Sequence, residues 1–205
     1  TIDDVVDIIR EQAEHQALGA AGLDEDEDLF SPVKRAVRGR LLWLSVNLCT
    51  AFLAAWVIGQ FEGTLEKIVA LAVLMPIVAG MGGNAGTQVL ALMVRGIALG
   101  QVGASNIKPL LWKEARVALL NGIVLGTILA LIVLLWFHSI GLSVVIFVAL
   151  TCNLVLAAIA GVLVPVALKR AGYDPALASG IFLTTVTDVM GFFTFLGLAT
   201  LVLLR

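Results

Sequence analysis

Five apolar runs, each long enough to cross a bilayer, leave this chain few ways to fold. They cover approximately residues 41–61, 68–94, 111–137, 142–168 and 175–204. A spanning helix needs about 20 mainly apolar residues, since each adds about 1.5 Å against a hydrocarbon core about 30 Å thick. Lipid offers no hydrogen-bond partners, so every backbone N–H and C=O in such a run must be bonded within the chain, which makes the runs helices. Composition agrees: 60% of the residues are hydrophobic and mean hydropathy is +1.04, where soluble domains are about half apolar. The expected fold is an all-α integral membrane protein with five transmembrane helices.

Charge is unevenly placed. Ten of the fifteen acids precede Phe30. Ile2, Val5, Val6, Ile9 and Ala13 recur at helical spacing, and Asp3, Asp4, Asp7, Glu11 and Glu14 cover the rest of the same segment. Residues 2–18 therefore read as an amphipathic helix. Its acidic face either stays solvated or binds divalent cations, because neighbouring carboxylates repel unless something neutralises them. Residues 18–30, with Gly19, Gly22 and an acidic run at 24–28, read as a linker, and Ser31-Pro32 as a helix start. Two regions follow: residues 1–30, an acidic connecting helix and linker, and residues 31–205, the membrane domain.

Lys and Arg gather before the first run, between the second and third, and between the fourth and fifth, whereas the other two connections hold only Lys67. The positive-inside rule then puts the N-terminus in the cytoplasm and the C-terminus outside, in a multi-pass plasma-membrane protein. The formal net charge of -2 points to no nucleic-acid partner. No signal-peptide pattern opens the chain, and a first residue Thr1 in place of Met reads as a portion of something longer. Cys49 and Cys152 lie in apolar runs and read as packing residues rather than a disulfide framework.

Two stretches carry chemistry. The fifth run holds Asp188 near its middle, just after Thr184, Thr185 and Thr187. A charged carboxylate at that depth costs roughly 2.5–3.5 kcal/mol on insertion scales, so it must face protein or water and meet a cation or a proton. The second run contains Pro76 and then Gly80, Gly82, Gly83, Asn84, Gly86 and Gln88. Pro removes a backbone donor and Gly weakens the helix, so a break is expected here. Irregular backbone at membrane depth is tolerated where it lines a cavity. The stretch reads as a pore lining, with close packing through small residues as the plainer possibility. Asp, Asn and backbone oxygens suit hard cations, whereas soft metals prefer Cys or His, and no Cys/His metal spacing is present. Mg2+ dehydrates reluctantly and keeps several waters, which fits a wide oxygen-lined site. One carboxylate is thin for a divalent ion, and pairing two chains about an axis would supply a second.

The chain resembles the membrane part of the MgtE magnesium channel family. The likeness is carried by Pro76 with the Gly80–Gln88 segment, Lys113-Glu114, Gly172-Tyr173-Asp174-Pro175-Ala176, and Thr187-Asp188-Val189-Met190-Gly191. It extends from about residue 32 to the end, and residues 1–30 resemble the end of that family's second CBS domain with its connecting helix. The resemblance implies a homodimer of five-helix subunits in the lipid bilayer, with one pore on the two-fold axis lined by the second and fifth spans. It implies that Asp188, Asn84 and the backbone oxygens of Gly80 and Thr184 hold a hydrated Mg2+. It also implies that cytosolic Mg2+ closes the pore through acids of the connecting helix, for which Asp3, Asp4, Asp7, Glu11 and Glu14 are candidates. One departure is visible: where the family often has Ser-Asn-Pro, this chain has Ser179-Gly180-Ile181.

The expected function is therefore Mg2+ conduction into the cytoplasm, with no enzymatic activity. A proton-coupled divalent cation transporter or exporter on the same scaffold is the alternative, in which Asp188 changes protonation. An intramembrane aspartyl protease pairing Asp174 with Asp188 fits poorly, because Asp174 stands at a loop edge and Asp188 lacks a Gly-x-Gly-Asp context.

Overall fold

In the computed structural model the described residues are 30 and 32–204 without residue 104, with backbone alone for Arg35 and Leu177. The expected acidic helix, with Asp3, Asp4, Asp7, Glu11 and Glu14, lies outside them. The described chain is helical: α1 (Val33–Gly59), α2 (Glu62–Lys67), α3 (Ala70–Ala98), α4 (Ile107–Phe137), α5 (Ile140–Arg170) and α6 (Pro175–Leu203). Five of these, all but α2, are long and apolar enough to span a membrane.

The helix ends follow local chemistry. Asp174 caps α6 by accepting the Ala176 N–H at 2.8 Å, with Pro175 at the first turn, where its missing donor is not needed. Ser139 caps α5 through the Leu142 N–H at 3.3 Å. The turn before it is made by His138, which takes a left-handed conformation (φ 51°). Gly172 (φ 82°) does the same after α5, where the Tyr173 N–H reaches back to the Leu168 carbonyl. The segment at 62–67, between the first two apolar runs, forms the short helix α2 and is tied to α6 by a 2.8 Å hydrogen bond between the Thr64 and Thr200 hydroxyls.

α5 is the centre of the bundle and packs against α3, α4 and α6. Its approach to α4 is close because two glycines face it. A Cβ on Gly122 would lie 2.9 Å from Thr151 Cα, and one on Gly126 would lie 3.0 Å from the Phe147 ring. α1 packs along α6, buries Ala54 and Val57, and leaves Leu44, Leu48, Phe52 and Trp56 exposed. α4 likewise exposes Leu120, Leu131, Leu135 and Trp136. Apolar exposure of this kind suits helices against lipid chains. Cys49 is also exposed on α1, so it does not pack into the core as expected; Cys152 is half-buried, and both are free thiols.

The interior is layered. One apolar cluster gathers Leu71, Leu74 and Val78 of α3, Ile146 and Ala149 of α5, and Phe195, Leu196 and Ala199 of α6. A second gathers Val89 and Met93 of α3, Ala118 of α4, and Ala158, Val162 and Val166 of α5. Between them on α3 lie the glycines, and between them on α5 lies Asn153.

One expectation fails at this level. α3 does not break at Pro76 or in the Gly80–Gln88 segment but runs as one helix from Ala70 to Ala98. Gly82 and Gly86 are buried in that run, and their missing side chains are where the neighbouring helices enter. Tertiary packing overrides the weak intrinsic propensity of Gly, roughly 1 kcal/mol per residue.

Candidate functional site

Positions three and four apart share one face of a helix. On α3 such a stripe carries Gly80, Asn84, Thr87 and Gln88, all exposed in the single chain. On α6 the exposed Thr184 and the half-buried Asp188 stand one turn apart. The two helices meet at close quarters. A Cβ on Gly86 would lie 2.8 Å from Leu183 Cδ1, while Gly82 and Gly191 both close on the Asn153 side chain. Gly82 thus lies beside Gly191 across Asn153, and Gly86 lies beside Leu183. The helices are therefore antiparallel. The structure therefore sets Asn84, between Gly82 and Gly86, in the same layer of the bundle as residues 183–191 of α6, which carry Thr184 and Asp188 a turn apart, with Gly80 a turn from Asn84.

The available donors are oxygens. The Asp188 carboxylate meets no cation among the described residues. No group of three or more His, Cys, Asp and Glu exists among those residues either. The threonines turn their hydrogens inward along the helix: Thr87 donates to the Gly83 carbonyl at 2.8 Å, and Thr184 to the Gly180 and Ile181 carbonyls at 3.1 and 3.0 Å. A hydroxyl that spends its hydrogen this way presents lone pairs outward, ready to accept from water. The Thr184 carbonyl is less available than expected, since it already accepts the Thr187 hydroxyl at 3.0 Å in addition to its place in the helix. The Gly80 carbonyl sits in a continuous helix, so one lone pair is committed and the other is open. One carboxylate, amides and outward lone pairs make a set suited to a cation that keeps its water shell, and too sparse to strip it.

Asp174 plays no part in this layer. It caps α6 fourteen residues before Asp188, which on a helix is a separation of about 20 Å. Two carboxyls that far apart form no acid–base dyad, so the protease reading falls.

Asn153, in the fourth apolar run, was not among the residues singled out in the sequence. It is fully buried and donates through Nδ2 to the Val78 carbonyl of α3 at 2.8 Å. The signal was available, because an amide inside a membrane span needs a partner on another helix. Which helix it would find was not readable from the run itself.

Residues 75–198 match the family model for MgtE, described as a divalent cation transporter. That range covers more than half of the chain and contains both polar stripes and Asn153. The chain belongs to the MgtE family. Three curated MgtE relatives align with it nearly end to end. The magnesium transporter MgtE of Enterococcus faecalis is 35% identical over 201 residues, covering 98% of this chain and 44% of the relative. The magnesium transporter MgtE of Bacillus subtilis is 32% identical over 202 residues, again 98% and 44%. That of Thermus thermophilus is 32% identical over 206 residues, 99% and 45%. The chain thus spans less than half the length of the curated MgtE relatives it matches. The MgtE family is one of cation transporters and not of enzymes.

Proposed function

We propose that this chain is the ion-conducting part of a Mg2+ channel or transporter, built as a homodimer with one pore on the two-fold axis. The observation that carries this reading is the polar stripe of α3, Gly80, Asn84, Thr87 and Gln88, exposed beside Asp188 and Thr184 of α6. At membrane depth such groups do not face lipid. A second copy set against this face would shield it, and would bring two Asp188 carboxylates to a common axis. Hydrated Mg2+ would be drawn there by the paired charge and oriented by the amide of Asn84 and the outward hydroxyl lone pairs. The arrangement of basic connections supports a cytoplasmic N-terminus, and the flow in this reading runs into that compartment. Residues 1–30 would form the regulatory segment, where Asp3, Asp4, Asp7, Glu11 and Glu14 bind cytosolic Mg2+ and hold the pore shut. The magnesium transporters among the relatives support the choice of ion.

The test is Mg2+ uptake into liposomes, parent beside Asp188→Ala, with Mg2+-dependent protection from thermal unfolding as a binding readout that does not require an open pore. Loss of both uptake and protection in a folded, dimeric Asp188→Ala protein is expected. Unchanged uptake and protection would refute the site. Uptake that follows an imposed pH gradient would replace the channel by a proton-coupled transporter.

A further inference from the structure

Asn153 stands in a slot made for it. A Cβ on Gly82 of α3 would collide with Nδ2 and lie 2.9 Å from Cγ, and a Cβ on Gly191 of α6 would lie 2.8 Å from Nδ2, 3.0 Å from Cγ and 3.1 Å from Oδ1. The planar amide of α5 is thus held between two helices, neither of which could carry even an Ala there without displacing it. The helices it separates are the two that present the polar stripes. Gly82 lies midway between Gly80 and Asn84, and Gly191 follows Asp188 by three residues, nearly one turn.

The chemistry of the contact favours placement over cohesion. The Nδ2 bond goes to the Val78 carbonyl, a backbone group. A side-chain partner could shift by changing rotamer, whereas a backbone partner fixes the helix itself. Val78 lies between Pro76 and the glycines, the part of α3 with the least intrinsic helical strength. It is tied there to α5, the most enclosed helix of the bundle. The other half of the amide works against stability, because Oδ1 is buried with no hydrogen-bond partner among the described residues. A Leu would fill nearly the same branched shape and leave no acceptor unpaired. The amide also sits at the level between the two apolar clusters, where the other α3–α6 spacer is Leu183, which fills the space beside Gly86.

We propose that Asn153 is a positioning residue for the cation site. Its carboxamide sets the spacing and register of α3 against α6, and through them the approach of Gly80 and Asn84 to Thr184 and Asp188. Asn153 touches no ion in this scheme. The proposal rests on the site of the preceding subsection. A divalent site tuned to one ion needs its groups held to a fraction of an ångström, and a looser spacing first blurs the distinction between Mg2+ and the larger Ca2+.

The experiment measures Mg2+ and Ca2+ uptake into liposomes for the parent, Asn153→Leu, Asn153→Ala and Asp188→Ala, with thermal unfolding of each. Asn153→Leu keeps the branching, and Asn153→Ala fits without any clash. Both are expected to fold and to lose preference for Mg2+ over Ca2+ by about tenfold, the scale of effect from small misplacement of binding groups. A merely structural role would lower the melting temperature and leave the preference of the remaining folded protein unchanged. Folded Asn153 variants with parental preference would overturn the proposal, as would failure of both to fold, which would make Asn153 a folding residue. If Asp188→Ala abolishes uptake while the Asn153 variants match the parent, the site stands and the positioning role falls. If Asp188→Ala takes up Mg2+ as the parent does, the site itself falls, and the positioning role with it.

Discussion

At Gly161 α5 comes close to the backbone of α3, and replacing it by Ala sets two effects against each other. Gly to Ala inside a helix ordinarily stabilises by roughly 0.8–1 kcal/mol, because Gly loses more backbone freedom on folding. At Gly161 the new Cβ would stand 3.0 Å from the Gly86 carbonyl oxygen and 2.9 Å from Val89 Cβ, where ordinary contact begins at 3.4 Å. The shortfalls are 3.4 − 3.0 = 0.4 Å and 3.4 − 2.9 = 0.5 Å. Neither neighbour can turn aside: one is backbone and the other is the first carbon of a side chain. The helices must part, and overpacking of this kind costs about 1–3 kcal/mol. At the middle of these ranges the clash, about 2 kcal/mol, exceeds the propensity gain, about 1 kcal/mol, for a net loss of about 1 kcal/mol. Gly39 of α1, whose Cβ would meet nothing within 4 Å, is the control, and its Ala variant should match or exceed the parent. Unfolding in detergent followed by tryptophan fluorescence would measure both, since the chain holds four Trp. A Gly161→Ala protein as stable as the parent would mean that α3 and α5 yield more easily than these contacts allow. The layered account of the interior would then be wrong.

Other expectations follow from single contacts. Asp174→Ala removes the cap of α6 and should lower stability by about 1 kcal/mol, with Asp174→Asn recovering most of it in the same unfolding assay. Thr64→Val breaks the bond to Thr200 but should cost less than about 1 kcal/mol, because the Thr200 hydroxyl also donates to the Leu196 carbonyl at 2.7 Å and is not left unpaired. Lys113→Met should leave the melting temperature nearly unchanged despite the 2.8 Å pair with Glu114, since the Lys113 side chain is 63% exposed and solvent screens it. A large drop there would show that the buried Glu114 depends on this cation.

The spans were readable because lipid permits so few alternatives, and α6 begins at Pro175 as expected. The ends drifted where helices run on past their apolar residues. α1 starts at Val33, as the helix start read at Ser31-Pro32 implied, well ahead of the apolar run at 41, and α4 starts at Ile107 instead of near residue 111. α2 escaped notice because six residues with Glu at one end and Lys at the other read locally as a turn. The expected break in α3 came from counting Gly and Pro as local weaknesses. Their use is tertiary, visible only when Asn153, Leu183 and Val89 are seen filling the space beside Gly82, Gly86 and Gly161. Asp188 announced itself, an acid in an apolar run, and Asn84 did so through its Gly-rich setting. Asn153 did not, because its partner is a carbonyl 75 residues away in sequence.

The lengths of α4 and α5 have a further consequence for how the bundle sits in a bilayer. Each has 31 residues, a rise of about 46 Å against a hydrocarbon thickness of about 30 Å. Such a mismatch is relieved by tilting or by letting one end project. The two ends of this hairpin are unlike. At the turn, Trp136 and Phe137 stack with ring centroids 5.4 Å apart, and the Trp136 indole joins an apolar ring to a polar N–H, suited to the boundary between lipid and water. At the open end stand Lys108, Lys113 and Arg116 of α4 and Lys169 and Arg170 of α5. The aromatic end is therefore the anchor, and the surplus length emerges on the basic side. The protein should be thicker on that side than on the other, with a positively charged collar held clear of the hydrocarbon among the lipid phosphates.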